Sequence, residues 1–206
     1  MRTYKYKQAL LILPCVLFAT FLLALLSGSL FFSLGYSSAD SASSDISVEV
    51  EPVMAITTNA DTLSIPITPT PSGTLAMNEL TVTVSTNNQT GYTLTMNSDT
   101  DDTSLIHQTI PTTIPSTTAP FDAPTALAVN TWGYSLAASP TTFSAIPALT
   151  APDTIASTSD PEEGSDTIVT FGANIDSTVT AGTYLNTMVF TATANYVPPP
   201  PLKDGM

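Results

Sequence analysis

Basic side chains are scarce in this sequence. Only four lysines and arginines occur among 206 residues, against seventeen aspartates and glutamates. Arg2, Lys5 and Lys7 are among the first seven residues, so Lys203 is the only lysine or arginine in the rest of the chain. A chain with this negative charge repels phosphate backbones. We therefore do not expect a nucleic acid as its partner.

Cysteine and histidine are also rare, since the sequence contains one of each, Cys15 and His107. A zinc site needs several such ligands, so the composition excludes zinc binding. Cys15 lies in the apolar N-terminal stretch, which leaves no disulfide for the acidic part of the chain. No Gly-x-Ser-x-Gly nucleophile motif accompanies His107. We therefore expect a protein that is not an enzyme and that depends on a packed core for its stability.

The N-terminal segment has the pattern of an export signal. A basic head precedes an uncharged, largely apolar run at residues 9–34. As a helix this run would be about 39 Å long, enough to cross a bilayer with tilt. Residues 1–39 are therefore predicted to be either a signal peptide cleaved after Ala39 or a retained signal-anchor helix. Both alternatives place the following residues outside the cell, secreted or held at the membrane by the N-terminal helix.

Threonine-rich segments with alternating apolar residues indicate β-strands. Residues 80–84 and 92–96 alternate in this way, and the connection between them is short and contains Asn and Gly. This arrangement predicts a β-hairpin. The same alternation predicts strands at residues 46–50 and 131–136, and an edge strand at residues 63–67, where Pro66 interrupts the pattern.

The whole pattern predicts an all-β fold without long helices after the leader. We expect a single antiparallel β-sandwich, Ig-like or jelly-roll-like, over residues 46–196. An N-terminal hydrophobic helix would precede this domain, and the proline-rich residues 197–206 would form an extended C-terminal tail. The expected core consists of Val82, Val84, Tyr92, Leu94, Trp132, Phe171, Met188 and Phe190.

Two phrases resemble the signatures of the WxL-type surface domains of Gram-positive bacteria. Residues 90–96, Thr-Gly-Tyr-Thr-Leu-Thr-Met, resemble the first signature, with Tyr92 in place of tryptophan. Residues 180–192 resemble the closing strand, with Phe190 and Ala192 at the second Trp-x-Leu. The resemblance implies a β-sandwich at the cell surface that associates with a cell-wall polymer or a partner surface protein.

Two sets of side chains are candidates for ligand binding. Asp99, Asp101 and Asp102 cluster in one loop, and calcium is bound by oxygen ligands of this kind. Trp132 and Tyr134 occupy alternate positions of a strand, where aromatic rings either belong to the core or stack on a sugar. We expect a non-enzymatic exported surface protein with a structural or adhesive role. The alternative is a glycan-binding module in which these two rings are exposed.

Overall fold

The computed structural model describes residues 40–196. The predicted leader helix (residues 1–39) and the proline-rich tail (residues 197–206) lie outside the described residues. The chain divides into two compact units, residues 1–48 and residues 49–206. The described part of the first unit, residues 40–48, is exposed and contains no helix or strand. Within residues 40–196 no helix is long and apolar enough to cross a membrane.

The described part of the second unit is all-β. Its sheets are antiparallel, as predicted, and ten strands alternate with turns and loops. The strands are β1 (Met54–Thr58), β2 (Thr74–Thr86), β3 (Tyr92–Ser98), β4 (Leu105–His107), β5 (Thr113–Ile114), β6 (Thr131–Ser135), β7 (Asp153–Ser157), β8 (Glu162–Ile175), β9 (Tyr184–Leu185) and β10 (Met188–Ala194).

The strands form three sheets. The largest has the order β1-β2-β8-β6, and its central pair β2 and β8 is the longest ladder in the described chain. A second sheet has the order β10-β3-β7, and a small third sheet has the order β5-β4-β9. Strands β1 and β10 are therefore terminal strands, each with one edge that is not paired to another strand of its sheet.

The two larger sheets contribute to one hydrophobic core. Leu80, Val82 and Val84 of β2 are buried in the same cluster as Leu94 and Met96 of β3. Threonines alternate with these residues and occupy the opposite side of each strand, as the period of two requires. Of the eight predicted core residues six are buried. The other two, Met188 and Phe190, are partly buried and pack against the cluster.

The predicted β-hairpin of residues 80–96 is wrong in its pairing, although both strands exist. β2 pairs with β1 and β8, whereas β3 pairs with β10 and β7, so the connection crosses from one sheet to another. Asn88 holds this connection in place. Its amide nitrogen donates to the carbonyl oxygens of Gly91, at 2.6 Å, and of Asn195, at 2.9 Å. The two alternating runs bury their apolar faces in one core without sharing a ladder.

The strand predictions for the first part of the domain are also corrected. Residues 46–50 form no strand, and Ile46, Val48 and Val50 are exposed. The region of residues 63–67 is likewise not a strand, although its apolar side chains are partly buried against the core. Pro66 lacks an N–H group for a ladder, which accounts for burial without strand pairing.

Two glycines paired across β6 and β8 accommodate an aromatic ring. Gly133 faces Gly172 in the ladder, and Phe143 is fully buried against them. A Cβ atom at Gly172 would lie 2.5 Å from Cε1 of Phe143. The absence of a side chain at Gly172 therefore creates the space that the phenylalanine ring fills, whereas a Cβ atom at Gly133 would lie 2.5 Å from the carbonyl oxygen of Ser144.

Candidate functional site

The three aspartates of the proposed calcium cluster lie in the loop between β3 and β4. The Oδ1 atom of Asp101 accepts hydrogen bonds from the backbone N–H of Thr150, at 3.0 Å, and from its hydroxyl, at 2.8 Å. The Oδ1 atom of Asp102 accepts one from the N–H of Ser104, at 2.9 Å. Asp99 is anchored through its own N–H, which donates to the carbonyl of Thr187. Each residue thus has a different partner.

These hydrogen bonds stabilise the charged form of one carboxylate. The backbone N–H of Ser104, and then its side chain, lower the pKa of Asp102 below its usual range. Among residues 40–196, no group of three or more His, Cys, Asp or Glu side chains is arranged to hold a metal ion. The observed role of Asp101 and Asp102 is to fix loop geometry, and calcium binding stays a prediction.

Trp132 and Tyr134 are buried, with 4% and 0% of their surfaces exposed. The Nε1–H group of Trp132 donates to the carbonyl oxygen of Thr103 at 3.0 Å, and its ring stacks on Phe171. The hydroxyl of Tyr134 donates to Oδ2 of Asp153 at 2.6 Å. A sugar cannot reach either ring face in this arrangement. The burial corrects the assignment of these two residues to a sugar-stacking platform and favours their alternative role in the core.

His107 is the last residue of β4, and its side chain is buried against the segment before β9. Its Nδ1 atom accepts hydrogen bonds from the N–H groups of Thr109, at 3.1 Å, and Ile110, at 3.3 Å. With Nδ1 acting as acceptor, Nε2 carries the proton and donates to the carbonyl oxygen of Ala181 at 3.3 Å. The ring also makes an edge contact with Tyr184. Backbone groups therefore occupy both nitrogens, and the observed contacts are structural.

One buried polar side-chain atom has no hydrogen-bond partner among the described residues, the hydroxyl oxygen of Tyr92. The side chain is fully buried in the core at the start of β3. An unpaired buried hydroxyl costs stability, because the group loses its hydrogen bonds to water.

An open groove of about 570 Å³ lies between the free edges of β1 and β10. Ile56 pairs with the buried Val84, and Phe190 pairs with the buried Met96, so both side chains point to the core side of their sheets. Ile56 is nevertheless 37% exposed, because no further strand covers it. The groove is lined by Ile56, Thr57, Thr58, Asp61, Met188, Val189 and Phe190.

The sequence interpretation did not identify this groove. Met188 and Phe190 of β10 were expected in the core and no strand was predicted at residues 54–58, and sequence alternation does not distinguish a terminal strand from an internal one. One sequence feature could have indicated an uncovered surface. The apolar alternation at residues 46–50 predicts a strand, but the structure leaves these side chains exposed. No protein-family model, curated protein sequence or solved structure matches this chain.

Proposed function

We propose that this chain is a non-enzymatic structural protein of the outer cell envelope, whose domain packs against a partner through the edge groove. The observation that carries the proposal is the uncovered core side of β1 and β10. Ile56, Met188 and Phe190 line a groove there although their side chains point toward the core. An exposed apolar strand edge is a site for association with another chain.

Other observations support a structural role over a catalytic one. The side chains most suited to acid–base chemistry have structural partners, as in the Tyr134–Asp153 pair and in the contacts of His107. We infer that the two larger sheets stack as one β-sandwich, because their buried side chains belong to one cluster. The export signal and the WxL-like phrases favour a location at the cell surface, next to wall polymers or other surface proteins.

The location and the groove can be tested together in an exporting bacterial host. The full chain would be expressed in three forms: wild type, Val189→Lys in the groove, and Ile168→Lys as a control. Val189 and Ile168 are 38% and 39% exposed, and Ile168 of β8 is not among the groove residues. We expect protease added to intact cells to digest all three forms. We also expect the Val189→Lys variant alone to lose its retention on isolated envelopes from which detergent has removed the membrane, so that a retained leader helix cannot hold the chain there.

Three outcomes would contradict the proposal. A chain protected from external protease in intact cells would exclude a surface location. Equal retention of the two lysine variants would exclude the groove as the packing surface. Release of the protein by soluble wall glycan, with both variants behaving as wild type, would show that a wall polymer is bound at a surface other than the groove.

A further inference from the structure

The free edges of β1 and β10 lack the features that usually protect terminal strands. Charged residues, prolines and β-bulges normally prevent a strand edge from pairing with another chain. β10 contains no charged residue and no proline, and its register with β3 is regular. β1 shares these properties and is also regularly paired.

The terminal strands at the other ends of these two sheets, β6 and β7, are protected against pairing with another chain. The outer edge of β6 is covered by loop backbone: Tyr134 exchanges hydrogen bonds with Ser144, and Trp132 does so with Pro115 and Thr117. β7 contains Asp153 and has a register shift against β3. Among the four terminal strands of the two larger sheets, the unprotected ones are therefore β1 and β10, which line the groove.

The chain also contains a segment with the pattern that such an edge would accept. In residues 46–51 the apolar Ile46, Val48 and Val50 alternate with Ser47, Glu49 and Glu51, as in a half-buried strand, and Pro52 ends the pattern. The three apolar side chains are 90%, 85% and 75% exposed. As a strand these six residues would be about 20 Å long, close to the roughly 23 Å of the seven-residue β10.

The C-terminal end of this segment is held by hydrogen bonds just before β1. The Oδ1 atom of Asn87 accepts from the N–H of Val53 at 2.6 Å, and its amide nitrogen donates to the carbonyl of Glu51 at 3.0 Å. The hydroxyl of Thr86 donates to the carbonyl of Val53. The segment therefore begins from a fixed point next to the end of β2.

We propose that residues 46–51 of one copy add as a strand to the free edge of β10 in a second copy and cover its groove. The apolar residues would contact Ile56 and Phe190 of the second copy, and the two glutamates would face solvent. This inference rests on the proposed function and names its partner. Because the donor segment and the acceptor groove are different surfaces, repeated addition would produce an open filament.

The test is cross-linking between copies of the full chain, purified in detergent in a Cys15→Ser background. One preparation carries Glu49→Cys, and a second, differently tagged preparation carries Val189→Cys. The control replaces the second with Ile168→Cys, which is equally exposed on β8. We expect disulfides between Glu49→Cys and Val189→Cys copies to form about ten-fold faster than with the control, because strand addition raises their effective concentration.

A charge placed in the donor segment tests the contact itself. Val48→Asp puts a carboxylate on the apolar side, and Ser47→Asp puts one on the opposite side of the same segment. Because both residues are exposed, neither change should alter unfolding followed by Trp132 fluorescence. We expect Val48→Asp to abolish the rapid cross-linking and Ser47→Asp to leave it within about two-fold of the original rate.

Each contrary result is informative. Equal cross-linking to Val189→Cys and Ile168→Cys, or equal effects of the two aspartates, would overturn the inference. A disulfide within a single diluted chain carrying both cysteines would show that the segment serves its own molecule.

Loss of copy-to-copy cross-linking with retained envelope binding would leave the proposed function intact. Cross-linking by a chain that stays inside cells would contradict the proposed function alone.

Discussion

The hydroxyl of Tyr134 donates a 2.6 Å hydrogen bond to the carboxylate of Asp153. Tyr134 belongs to β6 in the four-stranded sheet and Asp153 to β7 in the three-stranded sheet, so the bond connects the two larger sheets. The tyrosine is fully buried. A hydrogen bond to a charged acceptor is stronger than a neutral one, which makes this contact a specific connection between the sheets.

Replacing Tyr134 with phenylalanine removes this bond and leaves the carboxylate of Asp153 without it. We expect the free energy of unfolding to fall by about 1–3 kcal/mol. Urea denaturation can be followed by the fluorescence of Trp132, the only tryptophan in the sequence. Asp153→Asn keeps an acceptor oxygen and should cost less. Equal losses from both substitutions, or none from either, would contradict this account of the bond.

Tyr92→Phe also removes a buried tyrosine hydroxyl, but here we expect no loss of stability. Tyr92 is also fully buried, but its hydroxyl has no partner among the described residues. Removing an unpaired buried hydroxyl relieves a desolvation cost, so the unfolding free energy should stay the same or rise by up to about 1 kcal/mol. The same denaturation experiment applies. A loss comparable to that of Tyr134→Phe would show that the Tyr92 hydroxyl is hydrogen-bonded in solution.

The Tyr134 hydroxyl also predicts a pH dependence. Burial, then the hydrogen bond to Asp153 and its negative charge, raise the pKa of Tyr134 well above its ordinary value of 10.0. The native state therefore holds this proton more tightly than the unfolded state. Its contribution to stability is complete below about pH 10 and is lost at higher pH, by up to about 1.4 kcal/mol per pH unit.

This dependence can be measured by denaturation at several values between pH 9 and about pH 11.5. The unfolding free energy of the wild type should fall more steeply above about pH 10 than that of Tyr134→Phe. Absorbance of tyrosinate in the native protein supplies a second readout, because Tyr134 should ionise only on unfolding. Parallel pH profiles for the two proteins would contradict the raised pKa.

Gly172→Ala tests the space that Phe143 occupies. The new Cβ atom would lie 2.5 Å from the phenylalanine ring, so the ring or β8 must move. We expect a loss of about 1–3 kcal/mol in unfolding free energy, as for other overpacked cores. Phe143→Leu should reduce the further cost of the alanine, and a double-mutant cycle would measure this coupling. Additive effects would mean that the two residues do not share the space.

Much of the fold could be predicted from alternation, because a period of two identifies strands and their buried faces. Val82, Val84 and Leu94 are buried as expected. Alternation does not identify hydrogen-bond partners, which is why the predicted hairpin of residues 80–96 proved to be two strands in different sheets. That outcome depends on Asn88, whose bonds to Gly91 and Asn195 shape the connection.

The contacts of the candidate site residues could not be predicted from the sequence, because their partners are distant in the chain. The sequence places Asp99, Asp101 and Asp102 side by side, but the partners of their carboxylates lie elsewhere in the chain, as Thr150 does for Asp101. The space for the Phe143 ring arises at Gly172, which is 29 positions away in the sequence and which only the tertiary fold brings against the phenylalanine. The groove between β1 and β10 likewise depends on which strands end each sheet.

The central claim is that the free edge of β10 is the surface through which the protein assembles. Hydrogen exchange measured by mass spectrometry tests it most directly, on the full chain dilute in detergent and on the chain bound to envelopes. We predict that amides in residues 46–51 and 188–194 exchange at least about ten-fold more slowly in the bound state, because strand addition gives them partners. Unchanged exchange in both segments, with protection elsewhere, would contradict the claim.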